Sequence, residues 1–390
     1  MTLAVNPLVQ DLASPPVPEA QGWARAYDGS LGPLIMLSQA VPGSAPPEAL
    51  LERIAAAAAD PEVARYGFIE GEPPLREAYA AHVAEAYGGD VRPADVSITS
   101  GCNQAYVGAM MMLARAGDSV ILPTPWYFNH QMTLDMLGVA IKALPCRAGA
   151  GFVPDVDEAE ALIDGTTRAL VLVTPNNPTG AVYPPHVIEA FAAMCRRRSI
   201  WLVIDETYRD FLPAGVNRAH GLLADPSWRE GVIQLYSFSK AYAIPGHRLG
   251  ALVADPGVVT QLAKIMDSLQ ICAPRAGQVA MAWAIRGMAD WREATRAEIN
   301  RRSDAFRAAL GALPDWRIDS IGAYFAYVRH PYAGVPAARV ARALAEERGV
   351  SVLPGTFFGA DQETHLRIAV ANVAAEDLEP LPERLRGFRP

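Results

Sequence analysis

The chain has 390 residues, 51% of them hydrophobic and 19% charged, with a formal net charge of −8 and a pI near 5.5. That is the profile of a globular protein with enough apolar material for a large core in two or three domains. The acidic balance, with no longer basic block than Arg196-Arg197-Arg198, speaks against nucleic acid or an anionic membrane surface as a partner.

The N-terminal stretch "MTLAVNPLVQDLASPP" has no basic start leading into an apolar run, so it does not read as a secretion signal. Apolar runs such as "VGAMMMLA" fall far short of the roughly 20 residues that a membrane span needs. Cys102, Cys146, Cys195 and Cys272 are scattered, with no CxxC and no ligand spacing. The expectation is therefore a cytoplasmic protein with no disulfide framework, no bound metal and no membrane partner.

From about residue 50 to 270, short β-branched runs alternate with helical stretches. The pattern predicts strands at 96–99, 119–122, 168–174, 200–205, 232–237 and 249–253, with helices at 103–116, 184–198 and 257–268 between them. Runs such as "ALVLVT" and "IWLVID" are apolar on both faces, as in a sheet covered by helices on both sides. The rhythm predicts an α/β fold with a mostly parallel central sheet sandwiched by helices. After 270 a long helical pattern over 277–313 leads to two strand-like runs, "AYFAYVRH" and "HLRIAVAN", and helices at 337–348 and 375–385. This predicts a large domain over 46–275 and a smaller α+β domain formed by 1–45 with 276–390.

Ligands of open α/β sheets bind beyond the carboxyl ends of the strands, and those ends carry a consistent set of groups. After the first strand, "SGCNQA" is a glycine turn entering a helix, a natural anion site. The second strand is followed by Trp126 and Tyr127, and the third by Asn176 and Asn177 in "PNNPTG". The fourth ends in Asp205, with Tyr208 three residues on. The fifth ends in "SFSK", placing Ser237, Ser239 and Lys240 together, with Arg248 eight residues later. Lysine resists burial, yet Lys240 sits in an apolar stretch. Its placement asks for a site that uses a buried amine.

Taken in order, "PNNPTG", "DETY" and "SFSKAYAIPGHRLG" resemble the fold-type I, class I/II pyridoxal-phosphate aminotransferases, the aspartate aminotransferase-like group, over about residues 66–367. The resemblance implies pyridoxal 5'-phosphate as cofactor, with Lys240 as Schiff-base lysine and proton shuttle. Asp205 would pair with the pyridine nitrogen, and Asn177 and Tyr208 with the ring O3'. Tyr127, or less well Trp126, would stack on the ring. Ser237, Ser239, Arg248 and the amides of Gly101, Cys102 and Asn103 would take the phosphate. Tyr66, in "RYGFIEGEPPLREAYAAH", would reach the phosphate of the neighbouring subunit, making the enzyme a homodimer. Arg367 would grip the substrate α-carboxylate, with Asn177 and Ala40 beside it.

Two departures bear on the substrate. Ala40 stands where the family usually has glycine, and there is no unambiguous second arginine for a distal carboxylate, Arg275 being the weak candidate. His130 and His247 read as structural, since Lys240 already supplies acid/base chemistry. The implied function is amino transfer between an L-amino acid and a 2-oxo acid, by a ping-pong mechanism through pyridoxamine phosphate. The alternatives are a C–S β-lyase on the same scaffold and, further off, a non-catalytic cofactor-binding sensor domain.

Overall fold

The computed structural model describes residues 3–390. In chain order the strands are β1 (Ile35–Met36), β2 (Val96–Thr99), β3 (Ser119–Thr124), β4 (Ala140–Pro145), β5 (Thr167–Val173), β6 (Trp201–Asp205), β7 (Val232–Ser237) and β8 (Gly250–Val253). Then follow β9 (Arg317–Gly322), β10 (Phe325–Arg329), β11 (Val350–Ser351), β12 (Leu353–Pro354) and β13 (His365–Ile368).

The central sheet runs β2-β8-β7-β6-β5-β3-β4. Strands β3 to β7 are mutually parallel where they pair, and β8 is antiparallel to both of its neighbours. Two antiparallel pairings in succession return β2 to the common direction. Thr99, Asp205 and Ser237 therefore all end at the same edge of the sheet. Alternation along the strands splits the core in two. Leu202 and Ile204 face one apolar cluster, while Val203 faces the other. Helices Cys102–Leu113 and Pro256–Leu269 close the second face, supplying Ala105, Met110, Leu262 and Met266 to that cluster. The α/β fold read from the sequence is the fold observed.

Strand β4 was not anticipated. It lies at the sheet edge and is largely exposed, so it lacks the double-sided apolar pattern that marks the inner strands.

A second, antiparallel sheet runs β12-β13-β10-β9, and β1 pairs in parallel with β11. Ile35, Leu37, Phe306, Leu344 and Leu366 share its core, so the first forty-odd residues pack with the C-terminal part. Three expectations change here. The long helical pattern is two helices, Arg275–Gly287 and Ala289–Gly311, broken at Met288. The helix expected at 375–385 is instead one 3₁₀ turn, Glu376–Leu378, and one short helix, Leu381–Leu385. Pro380 and Pro382 explain this, because proline removes the amide that a continuing helix would use. Strand β9 also went unrecognised, since most of its residues are only half buried.

Among the described residues no helix is long and apolar enough to cross a membrane.

Candidate active site

Beyond the carboxyl edge of the central sheet lies a cavity of about 240 Å³. Ala40, Cys102, Asn103, Tyr127, Asn177 and Asp205 line it, and so do Tyr208, Ser237, Ser239, Lys240, Arg248 and Arg367. Two expected residues stand apart. Gly101 lies just behind the wall, and Tyr66 is 77% exposed on the surface.

Each group arrives there for a local reason. Lys240 sits in the single-turn helix Phe238–Ala241, capped by Ser237, whose Oγ accepts from the Ser239 amide at 3.3 Å. The chain then turns through Ala243 at φ 54° and Arg248 at φ 49°, which brings Arg248 back to the start of helix Cys102–Leu113. Its guanidinium donates to the carbonyls of Pro245 at 2.9 Å and Ser100 at 3.3 Å. Gly101 permits this approach. It has φ 87°, and a Cβ there would lie 2.3 Å from Arg248 Nη2. The buried hydroxyls of Ser239 and Ser100 have no hydrogen-bond partner. The unpaired Ser239 hydroxyl, the Arg248 guanidinium and the helix-start amides of Cys102 and Asn103, all on the cavity wall, form a donor set suited to a phosphate dianion.

Asn176 and Asn177 divide their work. Asn176 holds the turn, its Oδ1 accepting from the Thr179 amide and hydroxyl at 3.1 and 2.8 Å, its Nδ2 donating to Tyr183 at 3.1 Å. Asn177 faces the cavity and accepts from Arg367 Nη1 at 3.2 Å. Gly180 then lets the turn touch the second sheet. A Cβ there would come within 2.4 Å of the Phe325 carbonyl.

Asp205 is buried at the end of β6 and accepts from the Thr207 amide at 3.0 Å. His130 Nε2 lies 3.2 Å from its other oxygen. Burial alone would push the Asp205 carboxyl up, but the His130 contact and then the Thr207 bonds outweigh it and hold it below the usual carboxylate range. Burial, with the charges of Arg248 and Arg367, lowers the Lys240 amine from 10.5 to about 8. Its Nζ donates to the Ala40 carbonyl. Burial likewise lowers Arg367 to about 10 and raises Tyr127 to about 12 and Tyr208 well above its ordinary value.

Arg367 comes from β13, opposite Tyr327 on β10. It packs 5.0 Å from the ring centroids of Phe325 and Phe358 and donates to the Ser38 carbonyl. Its Nε is buried without a partner.

Trp126 is not a cavity residue. Its amide donates to the Phe358 carbonyl at 2.8 Å and its indole to Gln131 at 3.3 Å, so of the two aromatics Tyr127 faces the site. Arg275 is engaged elsewhere. It pairs with Glu72 through Nε at 2.7 Å and Nη2 at 3.2 Å, and it donates to the carbonyls of Glu62 and Arg65.

The sequence reading missed the contact of His130 with Asp205 and the walls supplied by Val17, Gln39, Val41 and Phe128. For His130 a signal existed. It lies three residues after Tyr127, on the same face of helix Phe128–Met136. Val17 left none, because it arrives from a distant helix, Pro16–Ala24.

A family model described as aminotransferase class I and II matches residues 33–385. An aromatic aminotransferase of Arabidopsis thaliana is 29% identical, over 90% of this chain and 88% of its own length. An arginine–pyruvate transaminase of Pseudomonas aeruginosa is also 29% identical, over 82% and 80%. Among solved structures, a double mutant of the Thermus thermophilus aspartate aminotransferase superposes with a TM-score of 0.90. It is 27% identical, over 98% of this chain and 99% of that one.

Proposed function

We infer the work of each residue from one premise: the chain belongs to the class I and II aminotransferase family and is a pyridoxal-phosphate-dependent aminotransferase. It moves an amino group between an amino acid and a 2-oxo acid. The site fits the cofactor. The unpaired Ser239 hydroxyl, the Arg248 guanidinium and the helix start behind Gly101 suit its phosphate, and Asp205 suits a protonated ring nitrogen.

When bound, pyridoxal phosphate supplies a carbonyl that condenses with amines and a ring that withdraws electrons from the substrate Cα. Ser237, Ser239, Arg248 and the amides of Cys102 and Asn103 would hold its phosphate, while the Gly101 amide is taken by the Thr99 carbonyl at 2.8 Å. Asp205, kept ionised by His130 and Thr207, keeps a proton on the ring nitrogen. Asn177 and Tyr208 would bond the ring hydroxyl, and Tyr127 would pack against the ring. Arg367 holds the substrate α-carboxylate beside Asn177 and Ala40. The Lys240 amine removes the proton from the substrate Cα, its affinity for that proton set near neutrality by burial and two neighbouring cations.

The observation that carries this reading is the meeting, in one cavity, of a low-affinity amine with Asp205 and Arg367 on its other walls. Lys240→Ala tests it. The variant retains no cofactor after borohydride reduction and denaturation and loses all turnover, and retained turnover would remove Lys240 from the mechanism. The relatives described above are all named aminotransferases or transaminases, so the β-lyase alternative gains no support from them.

The same reading makes the enzyme a homodimer. Tyr66 and Phe68 stand 77% and 58% exposed on a segment that Arg275 braces, as suits side chains that complete a neighbour's site. It also divides the chain into a large cofactor-binding domain, 46–275, and a small domain of 1–45 with 276–390, supported by the separate core beneath the second sheet. A cytoplasmic setting is inferred from four scattered cysteines without disulfide-framework spacing.

A further inference from the structure

We propose that the amino donor carries an uncharged, apolar side chain, and that dicarboxylic and cationic amino acids are poor substrates. This rests on the aminotransferase reading of the site and concerns the part of the cavity left for the side chain.

The charge inventory is short. Among the described residues, the basic groups lining the cavity are Lys240, Arg248 and Arg367, and the proposed chemistry engages all three. A second carboxylate would need a further cation. The chain contains only three lysines. Lys142 lies 2.7 Å from Asp164, and Lys264 donates to Gln261 on an exposed helix face. Arg275 is held by Glu72 and two carbonyls. A cationic donor fares no better, because among the described residues the one acidic group lining the cavity is Asp205, which His130 and the Thr207 amide already occupy. Within one subunit's cavity, neither kind of charged side chain finds a partner, and a charge desolvated there is costly.

What the wall offers is apolar. Val17 reaches the cavity from helix Pro16–Ala24, Val41 follows Ala40, and Phe128 begins the next helix. Phe128 also packs with Phe358, in a cluster that includes Ala20 and Leu353, so this side is backed by further apolar side chains. Gln39 is the neutral polar group on the N-terminal segment there. A branched or aromatic hydrocarbon side chain loses little on entering such a place and gains by leaving water.

The test has a kinetic arm and a binding arm. Cofactor-loaded enzyme is mixed in single turnover, without acceptor, with leucine, methionine, phenylalanine, aspartate, glutamate and arginine, and the released 2-oxo acid is quantified. We expect the apolar donors to exceed the charged ones by about 100-fold or more in the apparent second-order rate constant of this half-reaction. Equal or better use of aspartate, glutamate or arginine overturns the proposal. In the binding arm, calorimetry compares 4-methylpentanoate and 3-phenylpropionate with succinate and glutarate, and tighter binding of the dicarboxylates also overturns it. If no donor releases oxo acid while the monocarboxylates still bind more tightly, the aminotransferase reading fails and the assignment of the pocket stands. Val17→Arg supplies the missing cation and is expected to raise aspartate use relative to leucine about tenfold.

Discussion

His130 Nε2 lies 3.2 Å from Asp205 Oδ2, and both side chains are almost completely buried. Tyr106 stacks on the far face of the imidazole at 3.9 Å between centroids, so the ring has little freedom to leave. This contact is the main reason that a nearly buried carboxyl stays below its usual range. Replacing His130 by Phe keeps the packing and removes the donor. The loss of one bond to a charged group predicts a fall in kcat of about ten- to a hundredfold, with the acid limb of the pH–rate profile displaced upward. Steady-state kinetics across pH checks both. An unchanged profile would mean that Asp205 does not depend on His130.

Lys240 sets function against stability. Its amine falls from 10.5 in the unfolded chain to about 8 in the fold, so the unfolded state binds more protons between those values and stability of the cofactor-free protein rises with pH across that window. Below about pH 8 the amine is charged in both states, and the burial penalty is present in full. At about 1.4 kcal/mol for each pH unit, the drop corresponds to about 3 kcal/mol. Lys240→Met is therefore expected to stabilise the cofactor-free protein at pH 7 by up to about that amount, with the advantage fading between pH 8 and 10.5. Urea melts of both proteins at pH 7 and pH 10 measure it. A constant difference at the two values would show that lost charge is not its source.

Arg248 and Ser239 are predicted to matter unequally for cofactor binding. Arg248→Ala removes a charged fork aimed at the helix start and is expected to weaken binding about a hundredfold. Ser239→Ala removes a buried hydroxyl that has no partner of its own. It is expected to leave the cofactor-free protein as stable as before, or slightly more so, while weakening cofactor binding by only about five- to tenfold. Equilibrium dialysis and thermal melts without cofactor separate the two effects. A Ser239→Ala variant that binds cofactor normally would place the hydroxyl outside the phosphate site.

Much of this site was legible because its groups follow the ends of buried strands. Asp205, Ser237 and the "PNNPTG" turn each follow an apolar run that can only be an inner strand, and inner strands of one sheet deliver their ends to one edge. The edge strand β4 and the half-buried β9 lacked that signature and passed unseen. So did the apolar wall. Val17 and Arg367 are 350 residues apart in sequence, and no local periodicity connects them. They share a cavity only because β1 pairs with β11 beside the sheet that carries β13. Contacts made by tertiary closure leave no trace in a short window of sequence, whereas a strand end does.

Tyr66 gives the prediction that bears on assembly. At 77% exposure it contributes nothing to its own subunit's cavity, so any role in the chemistry requires a second copy. Tyr66→Ala is expected to lower cofactor affinity, and Lys240→Ala to abolish turnover. Refolding the two variants together in equal amounts gives half heterodimers, each with one intact site built from Lys240 of one chain and Tyr66 of the other. Activity at limiting cofactor should recover to roughly a quarter of the wild-type value, as expected for a two-fold assembly in which each chain completes its neighbour. Recovery no greater than that of the Tyr66→Ala protein alone, at half its concentration, would show that each subunit works with its own residues only.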